Sequence, residues 1–429
     1  MSSPLGIQNK LFYGWVVVAA FLVIGTIMHG SVNSFGVFFK SLESQFGLTR
    51  AATSMVFSTA MFLGCVLGIL GGMALDKYGP RMLMLLMGLF TGLGLILASQ
   101  TSASWQLFLT YSLLLPIGTG SIFTVMMATV LRWFDKKRGL ALGVAGSGIG
   151  LGMVLIAPFA TYLITSFGWR MAFIIIGLIA WLIVIPLSRL LRKGPSEIGA
   201  LPDGKKTGSV KIIIEEPEPE NRTQLAGFSL LQASRTRSFW IFSTIKLLLS
   251  FCYLLVLTHI VPHVMDIGIP AIQAATILSL AGVCMIAGRL IIGRVSDIVG
   301  RKSAAMTCSL ILAGAMIWLT WSQDLWMFYV FGAVYGFCRG GLDPPITALI
   351  GDTFGLRSIG VIMGTINIAW GIGSAIGPAV GGFIFDVSES YFMAFLAGAL
   401  AMFISAVLVA LIRQETTSYT GKGLGHFTS

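Results

Sequence analysis

Arg289 is the residue of this sequence best placed to do chemistry, and the chemistry is the capture of an anion. It stands eight residues before Asp297 within an apolar run, about 12 Å along a helix at 1.5 Å per residue. An arginine near a bilayer midplane costs roughly 2.5 to 3.5 kcal/mol on insertion scales, so it faces a partner or an aqueous cavity. Its planar fork matches a carboxylate. Arg339 and Asp343 stand four residues apart and can pair along one helix face, either as a neutralised internal pair or as a gate or proton-linked switch. Tyr335, one turn before Arg339, either offers a hydroxyl to a bound anion or packs. Gly25, His29, Gly30, Ser31, Asn33 and Ser34 interrupt the first apolar run, as in a discontinuous helix lining a cavity. His29 can titrate near neutral pH or serve as a packing residue. Lys246, nine residues after Arg237, can snorkel back to the near surface.

Other patterns point to no chemistry. Gly146-Ser147-Gly148-Ile149-Gly150-Leu151-Gly152 imitates a phosphate loop but follows no strand, and small residues inside an apolar helix allow close helix packing. His259 and His263 have the i, i+4 spacing of metal ligands, yet no third ligand is near and Pro262 is expected to end the helix between them. Five cysteines lie in apolar stretches without pair spacing and read as packing residues. No catalytic residues, metal site or cofactor are expected.

The elements that position these residues are membrane helices. Of 429 residues 56% are hydrophobic and 10% charged, against about 25% charged in soluble domains, which excludes a water-soluble enzyme. Twelve apolar stretches of roughly 20 residues span a bilayer, at 11–39, 51–75, 82–99, 106–131, 139–165 and 169–190, then 239–263, 271–293, 303–321, 325–350, 358–385 and 391–412. The first is too long for a signal peptide and is expected to be retained. The expected organisation is a six-helix bundle at 1–191, a cytoplasmic linker at 192–238 and a second six-helix bundle at 239–429 with a short tail. The linker carries four prolines and the acidic run Glu215, Glu216, Glu218, Glu220. Asn221-Arg222-Thr223 within it is a chance glycosylation match, and 228–234 is expected to form a short surface helix.

Net charge is +11, but its distribution indicates lipid rather than nucleic acid. With both termini inside, 22 of 28 Lys and Arg fall in cytoplasmic segments, three (Lys40, Arg50, Arg170) outside and three (Lys246, Arg289, Arg339) within helices. This is the positive-inside pattern of a multi-pass protein of the cell (inner) membrane. An internal repeat supports the two-bundle reading. Gly72, Asp76, Gly79 and Arg81 after helix 2 recur as Gly293, Asp297, Gly300 and Lys302 after helix 8, where Arg301 adds a second base, and 297 − 76 = 221. The same shift carries Gly143, Gly150 and Gly152 onto Gly364, Gly371 and Gly373, while Arg289 falls on Gly68, so the charge is not part of the repeated scaffold. Parallel six-helix repeats are a transporter design.

The paired G-x-x-x-D-x-x-G-x-[RK] loops resemble those of the major facilitator superfamily. Glycines there allow tight turns, the aspartate can cap a neighbouring helix, and the basic residues can pair with acids across the two halves. Tyr13-Gly14-Trp15-Val16-Val17 and Trp133 to Gly143 are similar to the two signatures of the monocarboxylate porters and their bacterial oxalate/formate relatives, and the missing acidic residue before the first places the chain nearer the bacterial branch. The resemblance implies an all-α carrier with alternating access, functional as a monomer, with Arg289 as the helix-8 arginine that holds a substrate carboxylate. Asn33 stands where proton-coupled members carry lysine and Met285 where they carry aspartate, so that coupling pair is missing. Trp370 stands where oxalate/formate exchangers place lysine, leaving one matched cation and favouring lactate, pyruvate or formate over oxalate. Proton symport and anion exchange both remain open, as do nitrate or drug carriage and a receptor that binds without translocating.

Overall fold

The computed structural model describes residues 12–134, 138–201, 228–355 and 359–412. The amino terminus, Asp135 to Lys137, the linker's acidic run with Asn221 to Thr223, and the tail from 413 lie outside the described residues, as does the side chain of Asp76.

The chain folds into α1 (Tyr13–Phe46), α4 (Ser104–Trp133), α7 (Arg237–Asp266), α8 (Ala271–Val299), α9 (Arg301–Thr320), α10 (Leu325–Phe354), α11 (Ile359–Ser388) and α12 (Phe392–Leu411). Two longer helical runs each hold a pair. Arg50–Ser99 breaks at Gly79 (φ 76°) into α2 (50–78) and α3 (80–99), and 138–188 breaks at Gly168 (φ 81°) into α5 (138–167) and α6 (169–188). Positive φ at these corners suits glycine, which has no Cβ to clash. Ten helical stretches among the described residues are long enough, and over a membrane-spanning length apolar enough, to cross a membrane. Separating α5 from α6 and adding α10, whose Arg339 and Asp343 dilute its apolar character, brings the number among the described residues to twelve. The surface helix reduces to Leu230–Ser234, capped reciprocally by Ser229 and Gln232.

The repeat is written into the backbone. α8 begins 271 − 50 = 221 residues after α2, α10 begins 325 − 104 = 221 after α4, and Gly300 (φ 100°) turns 300 − 79 = 221 after Gly79. Gly168 has its counterpart in Glu389, which adopts φ 52°, a left-handed conformation uncommon for a residue with a side chain.

Two sequence expectations about helix continuity are corrected. The first apolar run bends only at Ser34, between Asn33 and Phe35, and then continues to Phe46. α7 runs through Pro262: proline removes one i to i−4 bond, and in a packed membrane helix the neighbours tolerate that loss. The glycine run of α5 serves close packing. A Cβ on Gly148 or Gly152 would meet α1 backbone at 2.7 Å and 2.6 Å, and one on Gly150 would meet Gly282 O of α8 at 2.9 Å.

The two halves close on one face and part toward the other. One apolar core joins Phe35, Phe39 and Phe57 to Leu255, Ile260 and Phe395 across the halves, whereas a second, around Val17, Met84, Met126 and Trp133, belongs to the first half alone at its basic-loop end. Among the described residues, no hydrogen bond or ion pair crosses between the halves on the basic-loop side of Cys65 and Ser279. A Cβ on Gly143 or Gly364 there would meet nothing within 4 Å. Large apolar side chains such as Leu182, Phe383 and Phe403 point outward, as lipid contact requires.

Candidate anion site

Three cations from three helices converge on one carboxylate. Asp343 of α10 accepts a 3.1 Å hydrogen bond from Arg289 Nη2 of α8, lies 3.2 Å from Arg339 Nη1 one turn earlier on its own helix, and 3.8 Å from Lys246 Nζ of α7. The local charge is 3 − 1 = +2. Arg289 and Asp343 side chains keep 22% and 28% of their exposure, Arg339 only 7%, so Arg289 stands at the mouth and Arg339 behind it. Arg289 belongs to the contact between the halves, because a Cβ on Gly146 of α5 would lie 3.2 Å from its Nη1.

Aromatic rings close the back of the cluster. The Arg339 guanidinium lies 4.8 Å from the Tyr253 ring and 5.1 Å from the Trp370 ring, and Lys246 Nζ lies 6.0 Å from Trp370. Each such contact is worth about 0.5–2 kcal/mol according to its exposure. Polar capacity remains unused: Arg339 Nε and the Tyr335 hydroxyl are buried without a hydrogen-bond partner, while Arg339 Nη1 is engaged by Asp343 alone. Tyr335 stacks on Phe331 at 5.1 Å. Both line a small apolar cavity of about 20 Å³ with Tyr253, Met153, Leu257 and Ile277.

The expected pair Arg339 and Asp343 is therefore present, with Arg289 as a third member. Lys246, whose role the sequence left open, joins them. It is 8% exposed and turns inward to Asp343 rather than snorkelling to the surface, because the carboxylate offers it a partner within reach of the α7 axis. The structure brings Trp370 to the cluster. It does not bring Asn33 there: Gly30 crosses Gly152, whereas Arg289 abuts Gly146, six residues earlier along α5 (152 − 146 = 6), so Asn33 lies over one turn farther toward the closed face. His29 Nε2 is buried without a partner. Among the described residues no cluster of metal ligands forms, and His259 and His263 instead pack against Tyr391.

All three cations replace glycines of the first half. A shift of 221 maps Lys246 onto Gly25, Arg289 onto Gly68 and Arg339 onto Gly118. In the first half these are close helix crossings, where a Cβ on Gly118 would lie 2.5 Å from Thr91 N and one on Gly68 would lie 3.1 Å from Gly120 O. The anion chemistry thus occupies one half of a repeated frame.

The loop glycines play matching structural parts. Gly72 rests against Thr124 of α4 and Gly293 against Pro344 of α10, each at 3.5 Å for an added Cβ. The expected pairing of loop bases across the halves is corrected for Arg301, which binds Asp352 at 2.5 Å and Asp297 at 3.5 Å within its own half. The halves are apart on that face, so the nearest carboxylates are local. Arg81 is exposed. The two signature motifs meet each other: Trp15 packs on Phe134 at 5.0 Å, Tyr13 on Trp133 at 5.6 Å, and the Tyr13 hydroxyl donates to Leu190 O at 2.8 Å. They tie α1, α4 and α6 together and lie outside the charged cluster.

Sequence reasoning missed a second charged cluster, on the closed face. Arg50 at the start of α2 is 7% exposed and grips Asp266, the last residue of α7, at 2.6 Å and 2.9 Å. Its signal was the presence of Asp266, Asp386, Glu43 and Lys40 at helix ends facing an otherwise charge-poor surface.

Twelve helices in two repeated bundles with a buried charged cluster between helices of the second define a polytopic membrane carrier. The family model of the major facilitator superfamily matches residues 21–291 and 260–426, and the chain belongs to that superfamily. Within it the chain is similar to monocarboxylate transporter 13 of Bos taurus, 26% identical over 410 residues covering 93% of this chain and 89% of that protein. It is also similar to human monocarboxylate transporter 11, 25% identical over 414 residues, covering 94% and 83%. Among solved structures, a bacterial homologue of the human lysosomal transporter Spinster, in an inward-facing unoccupied conformation, superposes with a TM-score of 0.70 at 17% identity, covering 94% of this chain and 96% of that one.

Proposed function

We propose that the protein carries small carboxylate anions by alternating access, with Arg289 as the first contact of the carboxylate and Arg339 and Lys246 behind it. One observation carries this reading: three cations share a single, partly exposed carboxylate, so a net charge of +2 and the unpartnered Arg339 Nε await an acceptor. A bound carboxylate takes the place of part of Asp343's contact, and buried donors left unpaired reject ligands that cannot accept from them. The basic loops are assigned to the cytoplasm by the positive-inside pattern, which makes this conformation open to the cytoplasm. Lactate, pyruvate and formate are the favoured substrates, moved by proton symport or anion exchange. The likeness to monocarboxylate transporters supports that class.

A second reading rests on Lys246. Its inward position gives the site more than the one cation expected from the sequence, and a +2 surplus also suits a dicarboxylate such as oxalate. Uptake of labelled pyruvate, lactate, formate and oxalate into liposomes holding the purified protein separates the two. Faster uptake of a monocarboxylate than of oxalate supports the first, the reverse order supports the second, and uptake of none contradicts both.

A further inference from the structure

The closed face is held by one hydrogen-bonded chain that ends on a buried histidine. Arg50 of the first half binds Asp266 through both Nη atoms and Glu43 through Nε at 3.3 Å, while its guanidinium covers the Phe385 ring at 3.6 Å. Lys40 Nζ reaches Asp266 at 2.6 Å. Asp386, from the end of α11, accepts from the backbone N–H of Arg50 and of Ala51, both at 2.8 Å, so a carboxylate of one half caps the α2 dipole of the other. Arg50 Nη1 also donates to the Tyr391 hydroxyl at 2.8 Å, and that hydroxyl is 3.1 Å from His259 Nδ1.

His259 is fully buried, and its partners fix its state. Nε2 lies 2.8 Å from Pro378 O, a group that only accepts, so Nε2 carries the hydrogen. Nδ1 therefore holds a lone pair and accepts from the Tyr391 O–H, whose oxygen accepts from Arg50. Ser54 Oγ sits 3.3 Å from Nε2 with its own hydrogen on Arg50 O at 2.7 Å. The charged and titratable groups around the ring are Arg50 on α2, Asp386 on α11, Tyr391 on α12 and His263 and Asp266 on α7, with Lys40 and Glu43 of α1 bound into the same cluster.

We propose that His259 is a proton-binding site that links protonation to the opening of this face. The idea rests on alternating access, not on the identity of the substrate. A proton added at Nδ1 removes the only acceptor that the Tyr391 O–H has among the described residues, forces that hydroxyl to turn, and sets a second cation beside Arg50. The first-half groups that cover the ring are Phe39, at 5.4 Å between centroids, Ser54 and Arg50. They withdraw together when the halves part, and the imidazolium then meets water. Protons therefore bind the parted state better and shift the population toward it.

The test is a distance measurement by pulsed dipolar spectroscopy on full-length protein in lipid nanodiscs. Spin labels at Trp105→Cys and Ile272→Cys, exposed positions at the closed-face ends of α4 and α8, report its opening once the five native cysteines are replaced. Lowering pH from about 8 to about 5.5, across the histidine range, should raise the long-distance population about threefold. His259→Gln should abolish the response and His263→Gln should keep it. A pH-independent distance in the parent, a normal response in His259→Gln, or loss of response in His263→Gln would overturn the proposal. If His259→Gln does not purify as a monodisperse species, Tyr391→Phe decides: without its donor Nδ1 takes a proton more readily, so opening should begin at higher pH, and an unmoved profile contradicts the proposal. No substrate is needed, so absence of pyruvate uptake would sink the functional reading and leave this one standing.

Discussion

The clusters around Asp343 and Arg50 are opposite in sign, ownership and degree of satisfaction. The first sets three cations around one carboxylate, all from the second half, with buried donors left over. The second sets Arg50 and Lys40 against Glu43, Asp266 and Asp386, draws from both halves, and gives Arg50 a partner for each of its terminal nitrogens. A cluster with surplus charge inside one half suits a ligand. A cluster whose main bonds, from Arg50 and Lys40 to Asp266 and from Asp386 to the start of α2, run between the halves suits a latch, because those bonds exist only while the halves touch.

Asp343→Asn breaks the contrast most severely. It leaves three cations without a counter-charge, a change that costs about 3–5 kcal/mol at a fully buried site and, at this partly exposed one, about 2 kcal/mol. A clear fall in Tm is expected, recovered in part by added pyruvate or formate acting as the missing anion. An unchanged Tm would mean that Asp343 does not hold the cations.

Arg50→Gln tests the other cluster. Losing its pairing with Asp266 removes about 2 kcal/mol of cross-half attraction, so the Trp105 and Ile272 label pair should move toward the long distance at neutral pH. A distribution like the parent's would show that Asp386 and the apolar core suffice to hold that face.

Trp370→Ala should be milder. Taking away the ring beside Arg339 and Lys246 costs about 1 kcal/mol and should raise KM for pyruvate about fivefold with kcat little changed. A fall in kcat at constant KM would instead assign Trp370 to the conformational step.

The smallest effect concerns the frame alone. Glu389→Gly, at the repeat position of Gly168, relieves a left-handed residue and should add about 0.5–1 kcal/mol, read as a slightly higher Tm with unchanged uptake. A lower Tm would show that the Glu389 side chain has a structural partner worth more than the strain.

Much of the frame was legible because it repeats. Helix lengths, the loop glycines and the shift of 221 are one-dimensional patterns, and the structure adds that the shift also fixes helix starts and backbone corners. Arg289 was legible as an isolated charge in an apolar run, and Arg339 with Asp343 as an i, i+4 pair. Lys246 was left open, since its distance from the helix end allows snorkelling and only the fold shows Asp343 on a neighbouring helix. Asn33 was misplaced because alignment of motifs does not give depth. The latch was invisible for a similar reason: Arg50 and Asp266 lie 216 residues apart, each at an ordinary helix end, and only the closed face brings them together.

The central claim is that a carboxylate is held by the Asp343 cluster through Arg289. Uptake of labelled pyruvate into liposomes tests it most directly, comparing the parent with Arg289→Gln and with Arg301→Gln, whose arginine forms a peripheral ion pair. Loss of a charged donor to a carboxylate predicts about a hundredfold slower uptake for Arg289→Gln, with uptake by Arg301→Gln remaining nearer the parent and equal Tm values showing that both variants are folded. Uptake by folded Arg289→Gln at the parent's rate would contradict the account.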